Sequence, residues 1–224
     1  IMCVAPVLIK NHNKYDSVAL TSQNGTHLQN WVAAEVVMLR DGVGREEAVK
    51  RLQTKTSIAL AALSPSQQIN PFIRSAQQVD TALKEIVATS THTILKSWFQ
   101  GAIINLAAPA LMIDKRIRQL PHISFAVETR GDLIARTWQF ISGSSSIYVV
   151  AFVASAGGAI FVSVIQLIGF FVQARSNKML AILSALTVAY FLIINGPVGS
   201  PKYRLPIEPI LIICLGSALL PFWE

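Results

Sequence analysis

The feature that most constrains this chain is a run from Thr137 to Ala174 without a single charged residue. Within it, Ile147 to Gln173 is long enough to cross a bilayer, which takes about 20 apolar residues. Ser155, Ala159 and Ser163 recur there at every fourth position, a spacing that suits close packing of membrane helices. Arg175 and Lys178 form a short polar break. Met179 to Asn195 then predicts a second crossing and Ile207 to Trp223 a third, with only Glu208 charged. Composition agrees: 52% of residues are hydrophobic and 14% charged, against about 25% charged in a soluble domain. Mean hydropathy is +0.49. The expected fold is all-α and polytopic, with at least three transmembrane helices (147–173, 179–195 and 207–223, within 147–224) and a helical extracytoplasmic region.

The first residues, "IMCVAPVLI", read as the end of an apolar segment, assigned to 1–9, with no basic stretch or small-residue cleavage site of a signal peptide. The chain is therefore expected to be the C-terminal part of a longer polytopic protein. The net charge of +7 comes from scattered cations without an aromatic-basic platform. That favours phospholipid or a phosphorylated ligand over nucleic acid. Cys3 and Cys214 lie in apolar sequence without metal-ligand spacing and are expected to be buried thiols.

Residues 10–94 are the expected extracytoplasmic helical region. "KNHNKYDSVALTSQNGTHLQNW" is polar and turn-rich. A helical pattern starts near Leu28, with Leu28, Trp31, Val32, Val36 and Leu39 on one face and Asp41-Gly42 as the stop. A second helix is predicted from Arg45 to Leu63, ending at Ser64-Pro65. A third starts at Asn70-Pro71, with Asn70 as N-cap and Pro71 at the first helical position. Its apolar stripe is Phe72, Ala76, Val79, Leu83 and Ile86. Residues 95–113, "KSWFQGAIINLAAPALMID", are apolar but broken by Gln100, Asn105 and Pro109. They either cross or lie in the interface with Trp98 at headgroup level, and the interfacial or re-entrant placement is the one adopted. Residues 114–146 connect this segment to the membrane bundle.

Most motifs carry little. "GPVGSPK" lacks the Gly-Lys-Ser/Thr ending of a P-loop. Asn24-Gly25-Thr26 fits a glycosylation sequon, a triplet that arises often by chance. His12, His27, His92 and His122 show no metal-binding spacing, and Glu46-Glu47 reads as a solvated helix face. The informative stretch is "GPVGSPKYRLPIEP", residues 196–209. Pro201 and Pro206 bias Ser200 and Leu205 towards extended backbone, so 201–206 is expected to be a stiff, extended strip at the membrane surface. Pro209 suits the first turn of the next helix, and Glu208 complements its dipole. Lys202, Tyr203 and Arg204 then offer a point charge, a hydroxyl donor and a bidentate fork, the groups that hold a lipid phosphate. The same cations can equally anchor the helix by reaching the headgroups.

"KYRLPIEPILIICLG" resembles the segment before a late membrane helix in bacterial family-39-like glycosyltransferases of the GT-C superfamily, alongside protein mannosyltransferases and aminoarabinose transferases. "APVLIKNHNKYDSVALTSQNGTHLQNW" is similar to the start of an extracytoplasmic loop in the same proteins, with Pro6, Ile9, Lys10 and Asn11 at the matching positions and Lys10 in place of the usual Arg. The resemblance implies a multi-pass protein of the bacterial inner membrane that takes a sugar from a polyprenyl-phosphate carrier on the extracytoplasmic side. Lys202, Tyr203 and Arg204 would then lie near the carrier phosphate. It also implies that the catalytic carboxylate belongs to an upstream loop, so no residue of this chain is assigned as catalytic. The same orientation puts Lys115, Arg116, Arg118, Arg130 and Arg136 outside, against the positive-inside rule. The alternative from another class is a transporter or flippase subunit that binds a phosphorylated lipid. A cell-wall polymerase or ligase shares the lipid carrier. No cofactor, sugar, acceptor or oligomeric state can be read from these residues.

Overall fold

The computed structural model describes residues 4–107, 114–125 and 127–219. Among the described residues every regular element is helical. The chain divides into two compact units, one drawn from Ile1–Leu95 and Ala126–Asp132, the other from Lys96–Phe125 and Leu133–Glu224.

The first unit holds α1 (Ala5–Tyr15), α2 (Gln23–His27), a π-helical turn (Leu28–Ala33), α3 (Ala34–Asp41), α4 (Arg45–Ala61), α5 (Pro65–Ile69) and α6 (Pro71–Val87). The stop at Asp41-Gly42 is as expected, with Gly42 in the left-handed conformation at φ 66°. The Asn70 cap is also as expected, its side chain accepting from the Phe72 and Ile73 amides. Two expectations are corrected. Helix α1 runs unbroken through Lys10–Lys14, where a turn-rich segment was expected, and ends at Asp16 with φ 54°. On the next helices Val32 and Val36 are buried as expected and Leu28 packs at the core edge, but the buried face is wider than the expected stripe and leaves Trp31 out. Ala33, Ala34, Val37 and Met38 are buried with Ala48, Leu52 and Ala82, whereas Trp31 is exposed and covered by the Arg45 guanidinium at 4.1 Å. The π turn is the physical reason, because its wider i→i+5 step shifts which side chains face inward. On α6 the buried residues are Ser75, Thr81 and Ala82, while Leu83 of the apolar stripe stays 49% exposed. Small side chains win that face because Gly25 packs directly on it. A Cβ there would come within 2.2 Å of the Ser75 carbonyl oxygen.

A polar seam runs through this core. The fully buried Gln29 amide donates to the Leu52 carbonyl and to Thr56, and Thr56 donates to Thr81 at 3.1 Å. Outside it lies an ion-pair lattice: Arg40 with Asp41 and Glu85, Arg51 with Asp41 and Glu47, and Lys55 with Glu85. Asp41 is held below the usual carboxylate range by the hydrogen bond from Arg40, which outweighs burial. Burial pushes Glu85 up, but Lys55 and Arg40 together outweigh it and hold it low.

The second unit contains the latter half of α7 (Thr91–Ala107), α8 (Lys115–Arg118), α9 (Leu133–Gly143), α10 (Ser146–Ser176), α11 (Lys178–Asn195), a 3₁₀ helix (Pro201–Ile207) and α12 (Glu208–Leu219). Helix α10 has 31 residues, so it is ~46 Å long at 1.5 Å per residue. Helices α10 and α11 are long and apolar enough to cross a membrane, and only 6% and 11% of their apolar windows are buried. The polar break is as expected, with Asn177 capping α11 through the Leu180 amide. At the third expected crossing the described helix is α12, whose 12 residues do not by themselves reach the length of a crossing; residues 220–223 lie outside the described residues, as do Cys3 and 108–113 of the 95–113 segment. The close approach between helices comes at Gly169, where a Cβ would overlap the Cys214 carbonyl of α12. The expected stripe of Ser155, Ala159 and Ser163 is only half-buried.

Because Asp41 and Glu85 titrate below their ordinary values, the lattice contributes fully above about pH 5 and weakens as pH falls towards and through the lower folded values. Amide exchange of α4 and α6 in the intact chain, corrected for intrinsic rates, should stay constant at neutral pH and accelerate below about pH 5. Unchanged protection throughout the acid range would show that these pairs do not hold the unit together.

Candidate functional site

The chain leaves α11 through Gly196, whose φ of 60° and ψ of −141° are open to glycine. The Trp98 ring lies 3.2 Å from where a Cβ would stand, and its Nε1–H donates to the Ile193 carbonyl at 3.3 Å. Trp98 therefore caps the end of α11. Gly101 admits the backbone of Gly196 and Pro197, since a Cβ would come within 2.6 Å of the Gly196 carbonyl oxygen. One turn on, fully buried Asn105 donates from Nδ2 to the Val198 carbonyl at 3.1 Å and accepts the Ser200 amide at 2.7 Å. This one side chain satisfies a donor and an acceptor of a non-helical backbone, as a neighbouring strand would.

Ser200 is extended, as expected, at φ −158° and ψ 138°. Residues 201–207 are not: they form a 3₁₀ helix where an extended strip was expected. The proline φ near −65° fits either conformation. The tighter one is selected by what it buries, because Ile207 is fully enclosed and Arg204 turns inward. The consequence for the three candidate residues is direct. A 3₁₀ helix has three residues per turn, so successive side chains leave in three different directions.

Lys202 is exposed, with Nζ 5.4 Å from the centre of the half-buried Tyr203 ring. Arg204 is 14% exposed and spends its donors on protein. Nε donates to Glu208 at 2.7 Å, Nη1 to the Leu106 carbonyl at 2.7 Å and Nη2 to Gln166 Oε1 at 3.3 Å. The structure thus places Lys202 and Tyr203 together and turns Arg204 away from them. Gln166 stands ten residues before the end of α10 at Ser176, ~15 Å along the helix. The guanidinium therefore reaches well inside the uncharged stretch rather than its end.

Beside this cluster is a cleft of about 330 Å³ between α10, α11 and α12, walled by Leu167, Phe170, Val188, Leu192, Ile210 and Leu211. Leu106 and Gln166 also line it, and both are bound by Arg204, so the cation sits behind one wall of an apolar slot. Sequence reasoning missed Asn105, Gln166 and Gln173. Their signal was present: amides inside apolar sequence are costly unless turned inward, and Gln166, Gly169 and Gln173 share one buried face of α10. Gln173 Oε1 accepts from the buried Cys214 thiol at 3.6 Å, which places that cysteine as expected. Among the described residues no group of His, Cys, Asp and Glu is arranged to hold a metal ion.

Arg204→Gln should destabilise the protein by about 2 kcal/mol, the cost of losing a charge-assisted hydrogen bond and leaving buried acceptors without their donor. Lys202→Gln, on the open side, should stay within about 0.5 kcal/mol. Denaturant unfolding in detergent micelles compares the two, and equal effects would mean that Arg204 is not held as described.

No protein-family model, curated protein or solved structure matches this chain.

Proposed function

We propose that this chain is the membrane-embedded part of a glycosyltransferase that takes a sugar from a polyprenyl-phosphate carrier. In this reading it is a multi-pass protein of the bacterial inner membrane, with the 196–207 segment facing the extracytoplasmic side. Support for membrane insertion comes from α10 and α11, whose exposed surface carries Phe161, Leu167, Ile168, Phe171, Leu183 and Leu186. A water-facing surface does not sustain so continuous an apolar covering.

The observation that carries the ligand assignment is the apolar cleft whose wall residues Leu106 and Gln166 are both tied to Arg204. In this reading an isoprenoid chain lies along that slot, and the phosphate is taken by Lys202 and Tyr203 on the adjoining 3₁₀ helix. Arg204 is then a positioning residue, fixing the 3₁₀ segment that presents its two neighbours. During transfer, the acceptor's oxygen or nitrogen attacks the anomeric carbon and the bond from that carbon to the phosphate oxygen breaks. The phosphate leaves with the electron pair. Lys202 supplies a point charge and Tyr203 a hydroxyl donor to that growing charge. The base that accepts the acceptor's proton is assigned by the resemblance to an upstream loop.

A second reading, a transporter or flippase subunit, draws on the break between α11 and α12. The chain unwinds beside an ion pair at the level of Gln166, and broken helices of this kind form binding sites in transporters.

The chain in lipid nanodiscs should bind a polyprenyl phosphate roughly tenfold tighter than the matching polyprenol, one charge-assisted contact being worth about 1.4 kcal/mol or more. Lys202→Ala should remove most of that difference. Equal binding of the two lipids, or no effect of Lys202→Ala, would leave Lys202 as an anchor only.

A further inference from the structure

A separate surface of the second unit surrounds the first turn of α10. Helix α9 presents three different faces. Arg136 and Phe140 are buried, the ring of Phe140 meeting Tyr148 and Phe152 of α10 edge-on at 5.6 and 5.1 Å. Roughly a third of a turn away, Ile134 and Trp138 stand 81% and 72% exposed, with Ile141 completing an i, i+4, i+7 stripe. The remaining face carries exposed Gln139, and Ser142 borders the apolar stripe one turn beyond Trp138. A helix docked on one side, apolar on the second and polar on the third has the character of one lying in the plane of a bilayer surface.

Two further observations point to the same partner. The first is continuity. Only Ser144 and Ser145 separate α9 from α10, and Ser145 caps α10 through the Tyr148 amide. The second is charge. The Ser145 amide donates to the Pro121 carbonyl at 3.0 Å, and His122 stacks on Tyr148 with ring centres 4.2 Å apart. These contacts bring the end of the α8 segment to the head of α10. That segment carries exposed Lys115, Arg116 and Arg118, with Arg116 paired to Asp114.

We propose that α9 and the 115–118 segment form an interfacial platform, with Ile134 and Trp138 immersed at the glycerol level and Lys115 and Arg118 meeting anionic headgroups. The partner is the lipid surface itself. The inference rests on α10 crossing a bilayer but not on any lipid-carrier activity. Trp belongs at this depth because its ring is apolar and its N–H needs a polar partner. The platform would fix how far the head of α10 rises out of the membrane.

The test uses the full chain, with Cys3→Ser and Cys214→Ser, in vesicles of phosphatidylcholine and phosphatidylglycerol. A single nitroxide is attached at 134, 138, 139 or 161, and collision with oxygen is compared with collision with a water-soluble nickel complex. Positions 134 and 138 should favour oxygen several-fold over position 139, and position 161 on α10 should lie deeper than either. If 161 is in lipid while 134 and 138 match 139, the platform is wrong and α10 still crosses. If all four positions meet the nickel complex, the crossing itself fails. Quenching of Trp138 by brominated lipids, in a chain with Trp31, Trp98 and Trp223 changed to Phe, reads the same depth without altering Cys214. Omitting phosphatidylglycerol should make position 134 shallower, and Lys115→Gln with Arg118→Gln should abolish that dependence. No effect of phosphatidylglycerol would overturn the assignment to anionic headgroups.

Discussion

The second unit depends on one cation. Arg204 joins Glu208 at the start of α12, the Leu106 carbonyl on α7 and Gln166 within α10. A guanidinium held away from water is expensive, and its attraction to a carboxylate repays that cost only with good geometry and further hydrogen bonds. Those conditions explain the rest of the local architecture. The chain must tighten into a 3₁₀ helix so that Arg204 and Glu208 meet across one turn. Asn105 must satisfy the backbone that precedes it, and Trp98 must close the end of α11 from which it departs. The hydrogen-bonded pair therefore sets the path of the chain more than it adds net stability.

Much of the architecture was legible in the sequence, because it depends on local and one-dimensional properties. Charge-free length marked α10 and α11, the polar break at Arg175 and Lys178 marked the gap between them, and proline, asparagine and glycine punctuation marked the stop at Gly42 and the start at Asn70. What was not legible required knowing a partner. On α6 the most buried face is taken by small residues, Ser75 under the backbone of Gly25 and Ala82 in the main core, which leaves Leu83 outside while Ile86 packs at the edge. Trp31 left the core because a π turn changed the phase of its helix, an event that periodicity assumes away. The site divided in the same manner. The sequence singled out Lys202, Tyr203 and Arg204 as a group, and proline preferences allowed an extended display. Enclosure of Ile207 and Arg204 selected the tighter conformation and separated the three.

Lys202 is exposed and Tyr203 half-buried beside it, whereas the donors of Arg204 are taken up by Glu208, Leu106 and Gln166. The neighbouring cleft is walled by apolar side chains of α10, α11 and α12, and Arg204 binds two residues that line it, Leu106 and Gln166. At the other end of α10, the aromatic packing of Phe140, Tyr148 and Phe152 holds α9 against the helix head. Two fixed points thus act on one long helix, a clamp within it and a platform at its start.

The central claim is that residues 196–207 are a clamped part of the helix cluster and not a surface strap. Amide hydrogen exchange of Ser200 and Tyr203 in lipid nanodiscs tests it most directly, since their N–H groups donate to Asn105 and to the Ser200 carbonyl. The account predicts slow exchange at both, comparable to the amides of α12. Exchange as fast as in an open loop would contradict it and leave Arg204 free to serve as a headgroup anchor.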